Sequence, residues 1–177
     1  MDRKTVLFIA MSLDGYIADV NGGVDWLSGQ GNEEENRDTY SEFIRDVDTV
    51  IMGWNTYEQI VTELSPDEWV YQDLTTYVVT HRVCDSSEQI WFTGENPADL
   101  LKRLKGQTGK KIWICGGANL ILQLEKEDLI DEYDISIIPT LLGNGIRLFE
   151  NEGKERKLRL RQAQTYNGIT ELIYERR

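Results

Sequence analysis

The sequence is poor in residues that staple, break or chelate. It holds two cysteines, three prolines and one histidine among 177 residues. Cys84 and Cys115 show no metal-ligand or redox spacing. Two buried thiols in a reducing cytoplasm are expected rather than a disulfide. With His81 as the only histidine, a zinc site is not expected. No apolar run approaches the roughly 18 residues that would mark a transmembrane segment. The first apolar stretch is short and is interrupted by Ser12, Asp14 and Gly15, unlike a secretory signal, so a cytoplasmic protein is expected. Positive charge is scarce too: 19 Lys and Arg face 31 Asp and Glu, a net charge of −12. Such a chain repels phosphate polymers, so neither nucleic acid nor an anionic membrane is an expected partner.

What is present is core-forming material. Hydrophobic residues make up 40% and aromatics 10%, too much of both for a disordered chain. Without repeats, low-complexity tracts or linkers, residues 1–177 read as a single domain. Apolar runs at Thr5–Ala10, Thr49–Met52, Thr76–Thr80, Ile90–Thr93, Lys111–Cys115 and Tyr133–Ile138 predict buried strands. Helical spacing predicts amphipathic helices over Glu34–Val47 and Thr56–Leu64. Asn96-Pro97 starts another, with Leu100, Leu101 and Leu104 inward. A further helix opens at Gly116-Gly117 and turns Leu120, Ile121 and Leu124 to the core. Leu158–Thr165 and Ile169–Arg177 flank Asn167-Gly168, a strong hairpin signal. The alternation predicts an α/β fold, a three-layer α/β/α sandwich whose mixed sheet is mostly parallel with an antiparallel C-terminal hairpin. Ligands of such sheets bind at the carboxyl ends of the strands.

Three glycine-bearing strand ends are candidates for that edge: Gly53-Trp54-Asn55-Thr56, Gly116-Gly117-Ala118-Asn119 and Gly143-Asn144-Gly145. Each alone reads as a tight turn; together at one edge they suggest a nucleotide cleft, with a helix dipole suited to a pyrophosphate. His81 and Arg82 form a local basic pair after the third strand. They are either a solvated loop or a phosphate-binding pair. The glycine-rich segment Asp14–Trp26 has the character of a lid. Within it Asp14 either caps a turn or handles a proton, and Trp26 either packs or stacks on a flat ring.

The ordered motifs Ser12-Leu13-Asp14-Gly15-Tyr16-Ile17-Ala18, Asp25-Trp26-Leu27, Met52-Gly53 with Thr56-Tyr57-Glu58, Gly116-Gly117, and Leu142-Gly143-Asn144-Gly145-Ile146 resemble the dihydrofolate reductase superfamily. Within it the chain looks like the branch of the C-terminal reductase domain of bacterial riboflavin biosynthesis. The resemblance implies an NADPH-dependent reductase acting on a small heterocycle. It implies that Ala10 and Ile17 line the nicotinamide pocket. Gly53, Trp54 and Thr56 would hold phosphates and ribose, and Thr80, His81 and Arg82 would lie along the adenosine. Gly116, Gly117, Ala118, Asn119 and Leu120 would cradle the pyrophosphate, with a cis peptide between the two glycines. A homodimer is the usual assembly of related domains.

The sequence departs from dihydrofolate reductases in three places. Trp54 stands where they commonly carry an arginine for the 2′-phosphate. Ser28–Asn32 lacks their pteridine-gripping acid. Leu74 lies near where their arginine for the glutamate tail would fall. These departures argue against folate as the natural substrate. Asp14 and Asp25, or a water held by one of them, are the expected proton donors. Trp26 is an expected substrate contact, and Arg147 is either a substrate contact or a surface residue. A dihydrofolate reductase proper, and a nucleotide-binding protein without turnover, are the competing readings.

Overall fold

A computed structural model describes residues 3–149 and 154–177. Its main sheet has eight strands, built from β1 (Thr5–Ser12), β3 (Val47–Gly53), β4 (Thr75–Val79), β5 (Ile90–Thr93), β6 (Lys111–Gly116), β7 (Glu132–Ile138), β9 (Leu158–Tyr166) and β10 (Ile169–Arg176). Their spatial order is β5-β4-β3-β6-β1-β7-β10-β9. All neighbours are parallel except β10, which runs antiparallel to both β7 and β9. Two short strands that the apolar pattern did not signal, β2 (Tyr16–Ala18) and β8 (Ile146–Arg147), pair separately.

Helices cover both faces. On one, α3 (Pro97–Lys105) and α4 (Ala118–Lys126) bury Leu100, Leu101, Leu104, Ile121 and Leu124 against Leu7, Ile51, Ile112 and Ile114. On the other, α1 (Thr39–Ile44) and α2 (Trp54–Gln59), with its π-helical continuation Ile60–Leu64, pack on Val50, Met52, Val78 and Trp113. Phe43 of α1 stacks on Phe8 of β1 at 4.2 Å between ring centres. The α3 start is as expected: Asn96 Oδ1 accepts the Ala98 N–H at 2.9 Å and Pro97 occupies the first turn.

The helix expected over Glu34–Val47 is broken. Glu33–Glu35 form one 3-10 turn, Asn36 is extended, and α1 begins only after Asp38 caps the Ser41 N–H. Asn36 leaves the helical path because its Oδ1 accepts from Asn167 Nδ2 at 2.7 Å. Val47 belongs to β3, not to a helix. The hairpin turn is as expected, with positive φ at Asn167 (45°) and Gly168 (74°). Both cysteines are free thiols, and among the described residues no helix is long and apolar enough to cross a membrane.

Candidate active-site cleft

Because β1, β3, β4 and β6 are parallel, their carboxyl ends share one edge of the sheet. A cleft of about 1290 Å³ opens along it. That exceeds the roughly 300–1,000 Å³ of a pocket for one small ligand.

Glycine keeps the floor clear. A Cβ on Gly53 would lie 3.8 Å from the Gly117 nitrogen, and one on Gly117 would lie 3.5 Å from Thr56 Oγ1. These are ordinary packing distances, so a side chain at either position would meet no clash in the protein but would occupy the cleft. Gly116 has φ +132°, a conformation L side chains rarely adopt, and the Gly116–Gly117 peptide is cis. Gly117 caps α4 with no side chain over its first turn. The first N–H groups of that helix have no intrahelical acceptor, and the dipole behind them favours an anion.

The wall opposite is α2 and its π-helical continuation. Gln59 Nε2 donates to the Gly22 carbonyl at 2.8 Å, tying this wall to the lid segment across the cleft. Tyr71 and Cys115 also line the cleft, with the phenol oxygen 4.0 Å from the sulfur. Burial pushes the Cys115 thiol up to about 12, against a hydrogen bond from Tyr71. Burial, reinforced by Cys115 and Tyr40, drives the Tyr71 phenol far above its ordinary range. Both groups keep their protons at neutral pH.

The model of the RibD C-terminal domain family matches residues 3–174. The chain belongs to this family. Two Bacillus subtilis relatives, both described as uncharacterized, match nearly end to end. YwjB is 44% identical over 99% of each chain, and YyaP is 29% identical over 97% of this chain and 94% of its own. The RibD riboflavin biosynthesis protein of Haemophilus influenzae is 26% identical, and the match takes in only 48% of its length. Among solved structures, a Shewanella sp. PV-4 protein described as a candidate riboflavin biosynthesis protein has a TM-score of 0.84 at 28% identity, over 100% of this chain and 99% of its own. A Thermotoga maritima deaminase/reductase shares the fold, with a TM-score of 0.73 at 13% identity over 99% of this chain and 57% of its own.

In this RibD C-terminal-domain fold, ten of the expected site residues line the cleft together: Ala10, Ile17, Gly53, Trp54, Thr56, Gly116, Gly117, Ala118, Asn119 and Leu120. Thr80, His81 and Arg82 do not line it. Thr80 is buried just past β4, and its Oγ1 accepts the Arg82 N–H at 3.1 Å. His81 is exposed. The Arg82 guanidinium lies 4.5 Å from the centre of the Trp54 ring, on a residue that does line the cleft.

Of the expected proton donors and substrate contacts, Asp14, Asp25, Trp26 and Arg147 all lie outside the lining. Asp14 is tied up as an anchor. It accepts from Ser12 Oγ at 2.6 Å, the Gly143 N–H at 2.7 Å and the Leu142 N–H at 3.1 Å. The Ser12 hydrogen bond, followed by those from Gly143 and Leu142, holds its carboxyl down to about 2. An acid so low, with both oxygens occupied, is a poor proton donor at neutral pH. The Ser-Leu-Asp-Gly and Leu-Gly-Asn-Gly motifs therefore meet each other. Gly145 completes that junction: a Cβ there would sit 2.2 Å from the Ala18 carbonyl oxygen. Asp25 is exposed, and Trp26 Nε1 donates to the Gly23 carbonyl at 3.2 Å. Arg147 donates to the Tyr16 hydroxyl at 3.2 Å and stacks on its ring, while its neighbour Ile146 lines the cleft.

Sequence reasoning missed Gln59, Tyr71 and Cys115. Cys115 read as strand core, and Tyr71 sits between elements where no periodicity marks it.

Proposed function

We propose that the chain is an NADPH-dependent reductase of a small heterocyclic substrate. The observation that carries this is the glycine floor beside the uncapped start of α4, in a cleft of about 1290 Å³. Gly53, Thr56 and Gly116 to Leu120 would hold the pyrophosphate and ribose. Arg82, stacked on Trp54, would meet a 2′-phosphate. Ala10 and Ile17 would flank the nicotinamide.

A bound NADPH supplies a hydride, and with one proton the acceptor's C=N, C=O or activated C=C bond gains two hydrogens while the coenzyme is oxidised. The chain's own part is positioning, exclusion of water and proton supply. Gln59 holds the lid segment down through the Gly22 carbonyl. Tyr71 and Cys115 present two neutral donors at the cleft wall.

A second reading, cofactor binding without turnover, draws on the placement of Asp14 and Asp25 outside the cleft. One experiment separates the two. NADPH fluorescence in the presence of protein reports binding, and loss of its near-ultraviolet absorbance with a panel of oxidised heterocycles, dihydrofolate included, reports turnover. Turnover with any member supports the reductase. Binding with no turnover across the panel supports the second reading, and no affinity for either pyridine coenzyme removes both.

A further inference from the structure

The cleft has no base in its walls. Among the described residues, no Lys, Arg or His lines it, whereas Glu58 and Glu63 do. The residues outside the description, Met1, Asp2 and Glu150 to Gly153, include no basic side chain either. Three arginines already have partners, and the reading above assigns Arg82 to the coenzyme. Arg82 lies on the Trp54 ring, Arg147 on the Tyr16 ring, and Arg37 is bonded to Glu42 and Gln164.

A smaller cavity of about 310 Å³ adjoins the cleft, walled by Tyr40, Ile60, Leu64, Ser65, Val70 and Tyr71. It shares Ile60, Leu64 and Tyr71 with the cleft. Its ionisable groups are two phenols. Burial, then nearby Cys115, raises both above the ordinary tyrosine range. The annex therefore carries no charge at neutral pH. Placing an unpaired anion there would cost its hydration without any compensating cation. The two glutamates at the cleft wall add repulsion, and the phosphates of a bound coenzyme would add more.

Resting on the reductase reading above, we infer that the substrate is a flat molecule without phosphate, uncharged or cationic. Its ring lies in the annex against Tyr40 and Tyr71, and any positive group faces Glu58 and Glu63. The chain would thus have the fold of enzymes that act on a phosphoribosyl compound while lacking the charge to hold one.

The test uses protein saturated with NADP+, so that the coenzyme site is filled and no turnover occurs. Two matched pairs are titrated calorimetrically: 5-amino-6-(5-phosphoribosylamino)uracil with its dephosphorylated form, and flavin mononucleotide with riboflavin. The expected result is at least tenfold tighter binding of the phosphate-free member in at least one pair. The Glu58→Lys/Glu63→Lys double variant should narrow that ratio by tightening the phosphorylated member. A preference of less than tenfold for the phosphate-free member in both pairs, or failure of both phosphate-free members to bind, overturns the inference. The titration of NADP+ alone is read first, and its failure would remove the reductase reading instead.

Discussion

Gly117 has an ordinary φ of −86°, so its backbone accepts a side chain. Gly117→Val should therefore fold, with an unchanged circular dichroism spectrum, yet bind NADPH at least about tenfold more weakly because the branched side chain fills the cleft. Normal affinity in the folded variant would place the pyrophosphate elsewhere. Arg82→Ala should weaken NADPH more than NADH, since the guanidinium is the one positive group stacked on a cleft residue. Equal losses for the two coenzymes would end its role at the 2′-phosphate. Asp14 makes the opposite kind of prediction. Its folded pKa is about 2 against 3.8, so its contribution to stability is present above about pH 4 and lost as pH falls towards 2. Asp14→Asn should lower the thermal midpoint at neutral pH and leave the shape of the pH–rate profile intact. A profile that loses a limb would return Asp14 to the chemistry.

At the scale of elements, the C-terminal hairpin does more than close the sheet. Its turn residue Asn167 is 3% exposed and is bonded to the Asn32 N–H through Oδ1, to Asn36 through Nδ2, and to the Gln30 N–H through its carbonyl. Asn167→Ala should cost about 1–3 kcal/mol in chemical denaturation and expose the 29–36 segment to protease. Asn167→Gly keeps the positive φ while losing the same side-chain bonds, so it should be the milder change by about 1–2 kcal/mol. Equal losses would make the bonds, not the turn, the whole effect. This is also why the sequence misled over residues 34–47. The spacing of Tyr40, Phe43 and Ile44 correctly marks an inward face, but a partner more than a hundred positions away pulls Asn36 out of the helix. Local pattern carries no trace of such a bond. The strands buried on both faces, the Asn96 cap and the Asn167-Gly168 turn were legible because each rests on neighbours in sequence. The glycine-bearing part of the cleft lining was legible for the same reason. Tyr71 and Gln59 were not, because they meet the cleft only after the chain has folded.

The whole molecule carries its acid unevenly. Asp134, 7% exposed on β7, is lifted to about 7 by burial first, then by Glu171 and Glu132, with Lys111 opposing. A carboxyl raised in the fold holds its proton more tightly there than in the unfolded chain. Its contribution to stability is therefore full below about pH 4 and is lost as pH rises through about 7. The thermal midpoint should fall across that window, and Asp134→Asn should flatten the fall and raise the midpoint at about pH 8. An unchanged midpoint there would show that the carboxyl is not perturbed. The order of the sheet has a last consequence, for synthesis. β1 leaves the ribosome well before β6 and β7, which cover its two flanks, and Trp113, which bonds to the Phe8 carbonyl, follows 105 positions later. Until those strands emerge, the nascent Thr-Val-Leu-Phe-Ile-Ala segment stands bare with both edges unpaired, a natural client for holding chaperones and the point at which crowded expression would send the chain into aggregates.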